Sequence, residues 1–193
     1  NWFGGKFYHL NWILPLLPKA YHYCEPFGGA ASVLLNRDPS PIETYNDIDG
    51  DVVNFFKVLR DKPDELIRRL ELTPYSREEF RKAIEAKGRT DIDDVERARL
   101  FFVRAGQVMH GKCQSATPGN WSWVRSKSCR GMAGPVSRWL GYIERLHLVA
   151  ERLRRVQIEN RHAFEVIKLY DSKDTLFYCD PPYPHESRRS TKV

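Results

Sequence analysis

The sequence predicts an α/β fold, a doubly wound and mostly parallel sheet with a helical segment inserted in its middle. Three observations carry that expectation. Short β-rich runs alternate with helical ones at both ends of the chain, a glycine turn separates the first strand from its helix, and the middle third loses the alternation and turns basic. Alternating βα units favour parallel pairing with helices on both faces. Such sheets take ligands beyond the carboxyl ends of their strands.

The elements follow in order. LNWILPLLP (10–18) is apolar but cut by prolines, which suits a short helix ahead of a strand. AYHYCEPFGGAASVLLN reads as a strand over 21–24, a tight turn at Pro26, Gly28 and Gly29, then a helix over 30–35. IETYNDID is a second strand, 42–45, ending in polar residues. DVVNFFKVLRDKPDELIRRLEL gives two amphipathic helical pieces separated at Pro63. Ser76 and Glu79 form a capping-box signal for the next helix. Residues 94–104 read as another helix, and 107–136 then lose periodicity and fill with Gly, Ser, Trp and Arg. A long irregular stretch inside a compact domain points to function. Helical periodicity returns over 136–155, followed by strand 156–159, helix HAFEVIKLY and strand 175–179.

Composition excludes several classes. With 193 residues, 41% hydrophobic and 29% charged, the chain reads as a folded soluble domain. No apolar run nears the roughly 20 residues that span a bilayer. NWFGGKFYHL lacks the basic-then-apolar order of a signal peptide, so a cytoplasmic location is expected. Of Cys24, Cys113, Cys129 and Cys179, the two at the ends of apolar runs are expected to be reduced, buried thiols. No CxxC pair supports a metal site at His110, Cys113 and Cys129, so no metal is expected.

The net charge of +6 suits a polyanionic partner. Its distribution is more telling, because there is no Asp or Glu between Arg97 and Ile143. That window holds Arg97, Arg99, Arg104, Lys112, Arg125, Lys127, Arg130 and Arg138, interleaved with Trp121, Trp123 and Trp139. Cations beside flat aromatics, with no carboxylate to repel phosphate, are a nucleic-acid footprint. Arg104, Lys112, Arg125, Lys127, Arg130 and Arg138 are the candidate DNA contacts.

Two motifs carry chemistry. In CEPFGGAAS the glycines let the backbone approach a ligand, and the following helix start offers free N–H groups. Asp47 stands nineteen residues beyond Gly28, at the end of the next strand, where it can accept from ribose hydroxyls. Together they point to a nucleoside-containing cofactor. Asp180-Pro181-Pro182-Tyr183 closes the last strand. The prolines fix φ and remove two donors, so a carboxylate and a rigid carbonyl stand as neighbouring acceptors. That pair suits a planar amino group with two N–H donors, and Tyr183 offers a face for its ring.

Several segments in this order carry a family resemblance: Trp2-Phe3-Gly4-Gly5-Lys6, Glu25-Pro26-Phe27-Gly28-Gly29, Asn46-Asp47, Thr73-Pro74-Tyr75-Ser76 with its following helices, and Asp180-Pro181-Pro182-Tyr183. They resemble the DNA adenine-N6 methyltransferases that use S-adenosylmethionine, over nearly the whole chain. The resemblance implies a Rossmann-like methyltransferase domain from residues 1–70 and 145–193, with a target-recognition segment at 71–144. It implies methyl transfer to adenine N6 in double-stranded DNA, the base being turned out of the stack.

Asp180 and the Pro181 carbonyl would hold the amino group, with Pro182 stiffening the turn and Tyr183 stacking on the ring. Trp2, Gly5, Lys6, Glu25, Pro26, Phe27, Gly28, Gly29, Asp47, Ile48 and Asp180 would surround the cofactor, Lys6 near its methionine end. The segment Glu159–Phe164 resembles the strand end that meets the cofactor's adenine. His162 stands there where an acidic residue is common in the family, with Ala163 beside it. The residues themselves leave open transfer to cytosine N4, an RNA base or a protein glutamine, and a DNA-binding protein without catalysis. Family sheets continue beyond the catalytic strand, and only ten residues follow Tyr183, so a longer chain is expected.

Overall fold

The structure, a computed structural model, describes residues 5–111 and 113–182. Among these residues the chain runs α1 (Leu10–Ile13), β1 (His22–Glu25), α2 (Ser32–Asn36), β2 (Ile42–Asn46), α3 (Gly50–Asp61) and α4 (Pro63–Glu71). It continues through α5 (Arg77–Glu85), α6 (Asp94–Gln107), β3 (Ser128–Cys129), β4 (Met132–Ala133) and α7 (Gly134–Ile143). It closes with α8 (Leu146–Leu153), β5 (Gln157–Glu159), α9 (Ala163–Tyr170) and β6 (Thr175–Phe177). No helix among them is long and apolar enough to cross a membrane.

Four strands pair in parallel in the order β5-β2-β1-β6, each overlapping the stretch expected for it. The register sets the two faces, because neighbouring partners in a parallel sheet point the same way. Tyr23, Glu25, Glu43, Tyr45, Ile158 and Leu176 share one face. There Leu34 of α2 meets Glu25, Phe56 of α3 meets the Tyr45 ring at 5.0 Å, and Arg152 of α8 donates to both oxygens of buried Glu43. His22, Cys24, Thr44, Asn46, Glu159 and Phe177 share the other. Tyr170 of α9 covers it, edge-on to His22 at 5.2 Å and donating to Glu159. Helices on both faces make the sheet doubly wound.

Local chemistry explains the boundaries. Asp49 caps α3 by accepting from Asp51 N–H, and Pro63 starts α4 in the first turn, where a missing N–H costs no helical hydrogen bond. Ser76 caps α5 by accepting from Glu79 N–H at 3.1 Å, and Asp93 does the same for α6. The single helical stretch expected over 136–155 is two helices. Trp139 and Ile143 of α7 are buried in the inserted segment, whereas Leu146, Ala150 and Leu153 of α8 are buried beneath the sheet. A straight helix cannot serve both layers, so the chain bends at Glu144 and Arg145.

The inserted segment rests on α3 through α6, and Phe55, Phe101, Phe102 and Trp139 form one aromatic cluster across the join, with Phe55 stacked on Phe102. The irregular stretch is anchored at its start: Ser122 N–H donates to Gln107 O, and Trp121 Nε1 to Gln107 Oε1. Beyond it, β3 and β4 form an antiparallel hairpin. Its turn residues Arg130 and Gly131 both have positive φ, 54° and 75°, as a two-residue type I′ turn requires. Glycine takes that conformation freely; Arg130 is held in it at a cost of about 1–2 kcal/mol.

Candidate active site

Strand order reverses between β1 and β6, because the chain passes from β1 outward to β2 and β5 and then returns to β1's other side. The crevice at the carboxyl end of that junction is where an open α/β sheet takes its ligand. Four segments arrive there, following β1, β2, β5 and β6.

The β6 segment brings Asp180. Tyr178 N–H extends the ladder by donating to Cys24 O at 2.9 Å, which carries Asp180 to the rim. Its carboxylate takes the Lys6 ammonium, 2.8 Å from Oδ1 and 2.6 Å from Oδ2. Both side chains stay part-exposed, at 18% and 24%. Pro181 and Pro182 follow, exposed. Tyr183 and Trp2 lie outside the described residues, as does Lys112.

The turn after β1 wraps the Tyr45 ring. A Cβ on Gly28 would sit 2.1 Å from Tyr45 Cε2, so only glycine fits. Gly28 N–H donates to Asn46 O, and Tyr45 Oη donates to Gly29 O at 2.7 Å. Gly29 and Ala31 both have positive φ, and Ala31 opens α2. A non-glycine residue held there is strain of the kind that collects at ligand sites.

Asp47 faces this turn. Gly29 N–H donates to its Oδ2 at 2.7 Å and Asp49 N–H to its Oδ1 at 2.8 Å. Burial pushes its carboxyl above the usual carboxylate range, opposed by these backbone bonds. Beside it Ile48 is 72% exposed, an apolar surface next to a hydrogen-bond acceptor. Phe27 is half-buried. His162 caps α9, its Nδ1 accepting from Phe164 N–H at 3.4 Å, and is otherwise exposed.

Several expected contacts are corrected by burial. Glu25 is 2% exposed, and its Oε1 accepts from Tyr23 Oη at 2.8 Å and Leu34 N–H at 2.7 Å. It fastens the turn to α2 from beneath. Desolvation pushes its carboxyl up to about 7, against the two hydrogen bonds and Arg37, with Asp180 adding to the rise. Pro26 is buried with its carbonyl bonded by Asn46 Nδ2, and Ala163 is buried within α9.

The largest correction is Arg104. At 3% exposure it donates to Asp51 at 2.9 Å and to Ala83 O, so it cannot reach a phosphate. Arg97 and Arg99 of the same window are also paired, with Asp51, and with Glu79 and Glu96. Trp139 is core, and Trp121 is half-buried with Arg77 over its ring. The exposed remainder is Trp123, Arg125, Lys127, Arg130 and Arg138, all on or beside the hairpin.

Sequence reasoning underrated Asn46. Fully buried, it donates to Pro26 O and Arg161 O and accepts from Arg161 N–H, tying three strand ends together. The signal was present in Asn at the end of an apolar strand, a residue buried there only if every bond is made. Among the described residues no cluster of His, Cys, Asp and Glu fits a metal ion. A cavity of about 520 Å³ lies at the opposite end of the sheet, between Leu14 and Pro41, away from this chemistry.

A parallel sheet with these residues on its carboxyl edge is a Rossmann-like methyltransferase fold. A family model of D12 class N6 adenine-specific DNA methyltransferases matches residues 2–192, and the chain belongs to that family. It is 29% identical over 188 residues to a DNA adenine methylase of Vibrio cholerae serotype O1, covering 95% of this chain and 64% of the relative. It is 28% identical over 192 residues to a DNA adenine methylase of Salmonella typhimurium, covering 95% and 63%. A DNA N-6-adenine-methyltransferase of Escherichia phage P1 is 27% identical over 188 residues, covering 95% of this chain and 23% of that protein. The chain thus spans somewhat under two thirds of the bacterial relatives it matches.

Proposed function

We propose that the protein transfers a methyl group from S-adenosylmethionine to N6 of an adenine turned out of double-stranded DNA, at a specific site, in the cytoplasm. The observation that carries this is the Asp180 carboxylate at the switch point of the sheet. It already accepts N–H donors from Lys6 on both oxygens while remaining part-exposed. A nitrogen donor therefore fits that position, and the rigid Pro181 carbonyl adjoins it.

The residues present suit the cofactor. Asp47 offers acceptors beside the exposed apolar Ile48, and the Gly28–Gly29 turn keeps backbone, not side chain, at the crevice. Phe27, Lys6 and His162 complete the candidate set. The bound sulfonium supplies an activated methyl group, so no metal is required. Asp180 and Pro181 O accept the two amino hydrogens and draw the nitrogen from planar toward pyramidal, which frees its lone pair. As the new N–C bond would replace the methyl–sulfur bond, leaving a neutral thioether, the Asp180 carboxylate would stabilise the positive charge on the nitrogen until the surplus amino proton is lost to solvent. Tyr183 would stack on the extruded ring. Removal of adenine from the stack is needed because N6 is paired inside the duplex.

Arg125, Lys127, Arg130 and Arg138 supply the exposed cations for the DNA backbone. The test is nucleoside analysis of duplex DNA incubated with the full-length protein and S-adenosylmethionine. N6-methyladenine is expected. N4-methylcytosine, methylation of RNA or protein only, or no product overturns the reading.

A further inference from the structure

The buried Asp51–Arg104 pair belongs to a continuous line of hydrogen bonds. At one end Gly29 N–H of the cofactor turn donates to Asp47 Oδ2. Asp49 N–H donates to Asp47 Oδ1, and Asp51 N–H donates to Asp49 Oδ1 at 3.0 Å. Each aspartate thus bonds the backbone two residues on, a pattern that stiffens the segment. At the other end the Asp51 carboxylate accepts, among the described residues, from the inserted segment alone: Arg97 Nε at 2.8 Å, Arg104 Nη2 at 2.9 Å and Gly88 N–H at 3.1 Å. Burial alone would raise its carboxyl, but Arg104, Gly88 N–H and Arg97 hold it below the ordinary value. It is a charged pair at 4% and 3% exposure, so it does not slide into alternative partners without cost. Arg104 lies on α6, whose last residue Gln107 fixes Ser122 and Trp121, where the basic segment begins.

We propose that Asp51 is a positioning residue that couples occupancy of the cofactor turn to the arrangement of the basic hairpin. The inference rests on the function proposed above. A ribose hydroxyl donating to Asp47 must share that carboxylate with Gly29 N–H and Asp49 N–H. The resulting shift in the start of α3 reaches Arg97, Arg104 and Gly88 through Asp51. Coupling between two binding sites is reciprocal, so DNA on the hairpin alters the affinity of the cofactor turn by the same factor as the cofactor alters that of the hairpin.

The test measures S-adenosylhomocysteine binding to the full-length protein by calorimetry, with and without a saturating duplex containing its methylation site. In the parent the duplex is expected to tighten binding at least about fivefold, the lower range of measured couplings. Arg97→Leu removes the outer partner and leaves the buried Asp51–Arg104 pair intact. Each ligand alone should bind this variant much as it binds the parent, while the coupling ratio falls part of the way towards one, because Arg104 and Gly88 still hold Asp51; Arg97→Lys should restore it.

A purely structural role would lower the melting temperature and weaken both ligands with the ratio unchanged. That result, or a parent ratio of one, overturns the inference. A parent that binds no S-adenosylhomocysteine or no duplex contradicts the proposed function itself, and the coupling falls with it.

Discussion

The two halves of the basic window from Arg97 to Ile143 look alike in sequence and behave oppositely in the fold. In the first half Arg97, Arg99 and Arg104 are held by Asp51, Glu79 and Glu96. In the second half Arg125, Lys127, Arg130 and Arg138 stand exposed around a two-strand hairpin. The contrast teaches that a run without carboxylates says nothing about the carboxylates that other elements bring to it. Asp51 arrives from the start of α3 and Glu79 from α5. The cations of α6 meet counter-ions brought by α3 and α5, whereas those on or beside the hairpin stay exposed.

Arg104 gives the largest expected break in this comparison. Arg104→Met leaves the buried Asp51 carboxylate short of its main counter-ion, and a loss of about 3 kcal/mol or more in unfolding free energy is expected. Chemical denaturation measures it. A change within about 0.5 kcal/mol would place Arg104 with the surface cations.

A second break concerns pH and the buried Glu25. Its folded-state value is raised, so its contribution to stability is present at low pH and is lost as pH rises through about 7. Glu25→Gln keeps an acceptor for Tyr23 Oη and Leu34 N–H while removing the charge. The variant is expected to gain on the parent by on the order of 2 kcal/mol between pH 5 and pH 8. Melting curves at the two pH values check this, and a parent–variant gap independent of pH contradicts it.

The smallest effect on stability, and the sharpest on binding, is expected at the hairpin. Replacing Arg125, Lys127 and Arg130 together with Ala should leave unfolding free energy within about 0.5 kcal/mol per site. DNA affinity should fall and its salt dependence flatten by about one unit of slope for each phosphate no longer neutralised. An unchanged salt slope would show that this face meets no phosphate.

Much of the fold was legible because its signals are local. Strand-length apolar runs, the Gly28–Gly29 turn, Pro63 and the Ser76 cap all act within a few residues of themselves, and each marks the element expected. The four strand positions followed from them. What was missed is long-range. The Asp51–Arg104 pair joins residues 53 apart, and no local pattern announces a counter-ion at that distance. A helical-period reading of α6 held a partial warning, since Ala98, Phe101, Arg104 and Gln107 recur every three residues and all are buried. The same applies to Glu25, which reads as part of a ligand loop and is buried because Leu34 N–H lies above it in α2. At Asp180 sequence and structure agree on place, and the Lys6 ion pair, 174 residues away in the chain, came only with the fold.

The most direct test of the account is turnover of full-length Asp180→Asn on duplex DNA with labelled S-adenosylmethionine, beside cofactor binding by the same variant. The asparagine amide would present an NH2 donor where Lys6 and the adenine amino group each need an acceptor. Turnover is expected to fall by at least about a hundredfold while S-adenosylmethionine still binds. Undiminished turnover by Asp180→Asn would contradict the account.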